Sequence, residues 1–341
     1  MLTRRKFLQL AGAATAATTL AACGSTAKTQ EPASQADDAE ADSAPVAVRA
    51  AALKGPTAMG LVRFMSESDA GNLKDNDYSF QIVASADEVA PLISKSEVDI
   101  AAVPANLASV LYNKTEGGVR VIAINTLGVL YICELGDDVQ TVADLKGRTI
   151  YSAGKGATPQ YALEYVLRQN GLDPESDVTI EWKSEHAECV AALAEDATAL
   201  AMLPQPFVTT AQTKNDQIRV ALDLNKEWES AGDNGKLITG VAIVRSEFAD
   251  QNPAAVDAFL GHYAESVDYV NANVADAAKL VGSYDIVPEA VAAKAIPACN
   301  ITYVDGAQMK DELSGYLEVL EGQNAQAVGG KLPGDDFYYG A

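Results

Sequence analysis

The sequence predicts an α/β protein of two lobes, each a mainly parallel sheet flanked by helices, the two joined by two crossing strands. Three observations carry this. The stretch Val98-Asp99-Ile100-Ala101-Ala102-Val103-Pro104-Ala105-Asn106 has an echo one hundred positions on, Thr198-Ala199-Leu200-Ala201-Met202-Leu203-Pro204-Gln205-Pro206. Each copy is a short apolar run that ends in proline and an amide before a pattern of helical period begins, as a buried parallel strand followed by a helix reads. The echo also extends outward. Val89, Ala90, Leu92 and Ile93 answer to Cys189, Val190, Ala192 and Leu193, and Gly55-Pro56-Thr57-Ala58 answers to Gly156-Ala157-Thr158-Pro159. Finally, some three hundred residues follow Val46, more than one typical core but ordinary for two lobes.

The N-terminus is an address. Arg4, Arg5 and Lys6 precede an apolar stretch, Phe7 to Ala22, too short and too weakly apolar for a membrane span. Thr3-Arg4-Arg5-Lys6-Phe7-Leu8 resembles a twin-arginine export signal, and Leu20-Ala21-Ala22-Cys23 resembles a lipobox whose Cys23 becomes the lipidated first residue. Residues 1–22 are therefore expected to be a signal peptide. Residues 23–45, lacking aromatic residues and almost all branched apolar ones, should form a disordered acidic tether.

Val46 to Ala52 reads as the first strand. Lys54-Gly55-Pro56-Thr57 is a turn in which Thr57 is expected to N-cap a helix from Ala58 to Glu67. Strands follow at Tyr78 to Ala84, Val98 to Val103 and Val119 to Ile124, with helices at Asp87 to Ser94 and Pro104 to Tyr112 between them. Val129 to Glu134 should cross to the second lobe. There, a small helix at Asp138 to Lys146 precedes a strand at Arg148 to Ser152 and the turn Gly154-Lys155-Gly156-Ala157-Thr158-Pro159, with Thr158 as N-cap and Pro159 as first helical residue. Helix Tyr161 to Gln169, strand Val178 to Trp182, helix Glu185 to Ala194 capped by Ser184, strand Ala199 to Leu203, helix Pro204 to Thr213 and strand Ile218 to Asp223 complete that lobe.

Leu237 to Arg245 should run back to the first lobe. Beyond it only helices are expected, beginning with an apolar stripe of Val256, Phe259, Leu260, Tyr263, Val267 and Val270, followed by Ala275 to Ser283, Pro288 to Ile296 and Gly306 to Glu321. An irregular tail carries Phe337, Tyr338 and Tyr339. The expected boundaries are 46–132 with 242–341 for lobe I and 133–241 for lobe II.

Composition excludes several functions. A formal net charge of -22, more negative still once the basic signal is removed, makes nucleic acid and bare anionic lipid poor partners. Cys133, Cys189 and Cys299 are an odd set without C-x-x-C spacing, and read as buried thiols. Glu185-His186-Ala187-Glu188-Cys189 cannot turn three ligands toward one ion, and His262 lies off the stripe of its helix, so no metal and no cofactor is expected. Nucleophile elbow, Walker A loop and acid/base pair are all missing.

In an open parallel sheet ligands lie beyond the carboxyl ends of the strands, so the loops there should face one another across a cleft. Thr57 and Thr158, each after a glycine turn (Gly55; Lys155-Gly156), stand at helix starts that favour negative charge, and together they would grip an anionic or strongly polar group, although capping alone also explains each. Asn106 and Gln205 offer donor and acceptor at matching places. Thr126 lies in another cleft loop, Asn125 to Gly128; His186 is placed for an edge hydrogen bond; and Tyr131, Tyr161 and Phe207 are candidates for ring contact.

These motifs, Lys54-Gly55-Pro56-Thr57, Glu97 to Asn106, Asn125-Thr126-Leu127-Gly128-Val129, Gly154 to Pro159 and Leu203 to Phe207, together resemble the solute-binding lipoproteins of ABC importers, in the branch that handles sulfonates, taurine, nitrate and thiamine-type pyrimidine precursors. The resemblance covers Val46 to the C-terminus. It implies a type II periplasmic-binding-protein fold that closes on its solute by hinge motion and delivers it to membrane permease subunits, as a monomer held to the outer side of the cell membrane by its N-terminal lipid. Two alternatives stay open: a pyrimidine-synthesising enzyme on the same fold, although its cysteine-rich motif is missing, and a sensor that presents its ligand to a receptor.

Overall fold

A computed structural model describes residues 45–196, 198–232 and 235–341. The signal, Cys23 and nearly all of the tether lie outside the described residues. Contacts group Ala44–Ala341 as one unit.

The strands are β1 (Val46–Leu53), β2 (Asn76–Val83), β3 (Ile100–Pro104), β4 (Val119–Leu127), β5 (Leu130–Leu135), β6 (Thr149–Ala153), β7 (Thr179–Lys183), β8 (Leu200–Pro204), β9 (Ile218–Asp223), β10 (Ile238–Arg245) and β11 (Ile301–Val304). They form two sheets, ordered β11-β4-β10-β3-β1-β2 and β7-β6-β8-β5-β9. Each sheet is mixed, where the sequence suggested mainly parallel ones. β1 pairs in parallel with β2 and β3, and β6 with β7 and β8. β5 and β10, by contrast, lie antiparallel to both neighbours. These are the two strands by which the chain enters one sheet from the other.

The chain passes between sheets at Gly128 and Val129, and again between β9 and β10 through the helix Leu224–Ser230, which the sequence reading did not anticipate. It also missed β11, an edge strand of four residues, Ile-Thr-Tyr-Val, among helices; so short a run carries no readable period.

Three cores result. One joins Phe64, Met59, Phe259, Tyr263 and Ile296 on the outer face of the first sheet, where the helix Pro253–Ala272 buries the expected stripe, Leu260 only in part. Another, with Cys133, Cys189 and Leu203, lies on the second sheet. The third is continuous between the sheets and takes Ile124 from one, Ile132 from the other, Trp228 from the segment between them, and Tyr316 and Phe337 from the C-terminal helix and tail. Burying each such side chain is worth about 1.5–3 kcal/mol. The tail is pinned: Phe337 is fully buried, and the Tyr339 N–H donates to the Val121 carbonyl at 2.9 Å.

Candidate functional site

Strand ends from the two sheets converge on a cavity of about 140 Å³. Leu53 and Lys54 come from the end of β1, Pro104 from β3, Thr126 from β4 and Pro204 from β8. Val129 and Leu130 enter from the crossing, and Thr239 from the start of β10. Helix starts add Thr57, Thr158, His186 and Phe207. Two larger recesses, about 370 and 290 Å³, lie on the outer side of the first sheet around Arg63, His262 and Tyr284, away from the strand ends.

Of the residues singled out from sequence, Thr57, Thr126, Thr158, His186 and Gln205 line this cavity, as does Phe207. Gly55, Asn106, Lys155 and Gly156 do not. Lys155 and Gly156 are exposed, whereas Gly55 is buried in the turn behind Thr57 with φ of 137°, a conformation that favours glycine. Tyr131 and Tyr161 also lie elsewhere: the Tyr131 hydroxyl donates to the Ala298 carbonyl at 3.3 Å, and Tyr161 is buried in the core between the sheets.

The capping roles are corrected. Thr57 sits inside a helix of four residues, Pro56–Met59, whose N-cap is Gly55, and the chain restarts at Val62–Asp69 instead of running as one helix. The Thr57 hydroxyl donates back to the Leu53 carbonyl at 2.8 Å, closing the turn on its own strand. In the second turn Ala157 is the N-cap and Thr158 the first residue of Thr158–Gln169. The Thr158 hydroxyl donates across to Asn106 Oδ1 at 3.3 Å and receives the Tyr316 hydroxyl at 3.5 Å, so a tertiary partner has replaced the local one. Ser184 caps nothing either; Glu185 is the N-cap of His186–Glu195, and the Ser184 N–H donates to Glu188.

The glycine turn does not leave a row of free N–H groups. Gly156 N–H donates to Gln160 Oε1 at 2.8 Å, Ala157 N–H to the Gly154 carbonyl at 3.1 Å and Gln160 N–H to the Ala157 carbonyl at 3.0 Å, while Pro159 has none.

Asn106 and Gln205 are not equivalent. Asn106 is fully buried near the start of Ala105–Lys114, and its Nδ2 donates to the Gly156 carbonyl at 3.3 Å and the Ala327 carbonyl at 3.1 Å, tying the second turn and the C-terminal tail to the first sheet's helix. Gln205 precedes its helix, Phe207–Lys214, which starts later than expected because Pro206 is its N-cap. Its Oε1 accepts from the Thr209 N–H at 3.3 Å and hydroxyl at 2.9 Å.

His186 packs its ring 5.2 Å from that of Phe207, and its Nδ1 is buried without a partner. Burial pushes its pKa down to about 4, so the ring is neutral at pH 7. Among the described residues no group of three His, Cys, Asp or Glu side chains is placed to hold a metal ion.

Thr239 was missed from sequence. The available signal was a polar residue beside Gly240 in an apolar strand: a Cβ at Gly240 would meet Thr57 Cγ2 at 2.9 Å and Asn125 Oδ1 at 2.5 Å, so only glycine lets β10 pass this close to the Thr57 turn.

Residues 76–282 match the family model described as ABC transporter, phosphonate, periplasmic substrate-binding protein. Among curated proteins no sequence match is found. Solved structures share the fold. An ABC transporter protein from Parabacteroides distasonis superposes with a TM-score of 0.72 at 22% identity, covering 86% of this chain and 98% of that one. The periplasmic aliphatic sulphonate binding protein SsuA from Escherichia coli gives 0.68 at 15%, covering 85% and 93%. The periplasmic nitrate-binding protein NrtA from Synechocystis PCC 6803 gives 0.57 at 15%, covering 72% and 69%.

Proposed function

Because this chain belongs to the family of periplasmic substrate-binding proteins of ABC transporters described for phosphonate, we propose that the cavity between its two sheets captures one small polar solute by hinge closure and hands it to permease subunits. The observation that carries the reading is the lining itself. The two sheets contribute to one cavity at the strand ends, so a bound solute gains its full set of contacts only when they are close together. A ligand with that property shifts the population toward the closed form. In this reading lobe I is 46–132 with 242–341 and lobe II is 133–241, and the crossings at Gly128–Val129 and between β9 and β10 act as the hinge.

Thr57, Thr126, Thr158, His186 and Gln205 then contact solute directly. Gly55, Asn106 and Gly156 hold the turns that carry them, and Lys155 stands at the surface nearby. The solute classes are a sulfonate or nitrate, as named for two fold neighbours, or the pyrimidine-like ring that the sequence resemblance implies. The protein works without catalysis, as a monomer lipidated on Cys23, which follows a twin-arginine-like signal and an acidic tether. Small-angle scattering with and without solute tests the mechanism: a decrease in radius of gyration on binding is expected, and binding with no compaction refutes hinge capture.

A further inference from the structure

Besides lining one cavity, the two halves meet along a seam of direct protein-to-protein contacts. Asn106, near the start of Ala105–Lys114 in the first half, donates to the Gly156 carbonyl at 3.3 Å and accepts from the Thr158 hydroxyl at 3.3 Å, both in the second. Tyr316 and Gln323 stand seven residues apart on Gly306–Gln323 and so share one face of that helix. The Tyr316 hydroxyl reaches Thr158 at 3.5 Å, and Gln323 Oε1 accepts from Arg168 of Thr158–Gln169 at 3.3 Å. Trp228 of the connecting helix Leu224–Ser230 bridges the halves: it is fully buried, its ring 4.4 Å from that of Tyr165 in the second half and 5.5 Å from that of Tyr316 in the first.

Of these side chains only Thr158 lines the cavity. The bonds of the seam therefore belong to the closed arrangement but run between protein atoms, and they favour closure whatever the cavity holds. A neutral hydrogen bond of this kind contributes about two- to tenfold to an equilibrium. Ring contacts such as those of Trp228 add to it.

We infer that the seam is a latch, on the footing of the capture reading above: Asn106, Tyr316 and Arg168 hold the halves together without touching solute, so that closed and open forms coexist before solute arrives. They are positioning residues for capture. Solute draws on the closed share that the latch supplies, and its apparent affinity scales with that share.

Fluorescence of the full chain without solute tests this. Trp182 and Trp228 are its two tryptophans, so Trp182→Phe leaves Trp228 as the reporter, and acrylamide reaches this buried ring only when the halves part. In that background Asn106→Leu and Arg168→Ala should each raise the quenching constant about twofold or more, following the factor that the lost bonds contributed to closure. Arg168 is exposed, so its variant keeps the fold even where Asn106→Leu does not. Ser109→Ala is the control: it removes a bond of 2.8 Å to the Val328 carbonyl, inside the first half, and should leave quenching as in the parent. An unchanged constant in the folded crossing variants, or an equal rise in Ser109→Ala, overturns the latch. The scattering comparison reads solute capture separately: compaction on binding together with an unchanged constant removes the latch and leaves capture standing.

Discussion

The turns after β1 and β6 begin alike, strand then glycine then proline and threonine, yet they are stabilised differently. Thr57 closes its turn on its own strand through Leu53, four residues away, whereas Thr158 reaches Asn106 of the first sheet's helix and lies against Tyr316 of the long helix Gly306–Gln323. The buried carboxylates, by contrast, each depend on a strand that enters its sheet from the other one. Asp99, at the entry to β3, is held by Arg49 at 2.8 Å from β1 and Arg245 at 2.8 Å from β10. The equivalent position in the echo is Ala199, and the second sheet's buried carboxylate, Glu134, comes instead from the crossing strand β5 and pairs with Arg219 of β9. The contrast lies in the turns: one closes on its own strand, the other on a partner across the molecule.

The largest effect is expected on removing Asp99, which joins β1 and β10 to the entry of β3. Burial works to raise its pKa, but the hydrogen bonds from Arg49 and Arg245 outweigh it and hold the carboxyl below its usual range. Asp99→Ala leaves both guanidiniums without the carboxylate and should cost about 3–5 kcal/mol in urea-denaturation experiments; a loss below about 1 kcal/mol would show that Asp99 is not the first sheet's anchor.

A smaller effect separates the two turns. Asn106→Leu removes both donors that tie the second turn and the tail to the first sheet's helix, and should cost about 1–3 kcal/mol. Thr57→Val, which removes one local hydrogen bond, should cost about 0.5–1.5 kcal/mol. Equal losses in urea denaturation would erase the distinction between local and crossing support.

A separate effect concerns acid. His186 is neutral in the folded chain down to about pH 4 but takes up a proton near its ordinary 6.5 when unfolded. Its folded pKa is the lower, so the unfolded chain binds more protons in this interval, and stability should fall as pH drops from about 6.5 toward 4. His186→Gln should flatten that part of the profile; an unaltered slope would place the acid sensitivity elsewhere.

The apolar period, the proline and glycine punctuation and the hundred-residue echo were enough to place most of the strands and the helices between them, because each is a property of neighbours along the chain. They also brought six candidate residues to the cavity, since strand ends in an open α/β sheet are where ligands sit. β11 and the helix Leu224–Ser230 were not legible: one is too short to show a period, and the other occupies a connection whose path depends on where the second sheet lies.

From its own residues the sequence determined two strand-and-helix halves, the loops that end them and the family motifs. Tertiary structure alone decided which partner each hydroxyl and amide would take. A threonine after a glycine turn has several acceptors within reach, and its proton can serve only one. The choice between Leu53, four residues back, and Asn106, fifty-two residues away, is made only once the two sheets have come together.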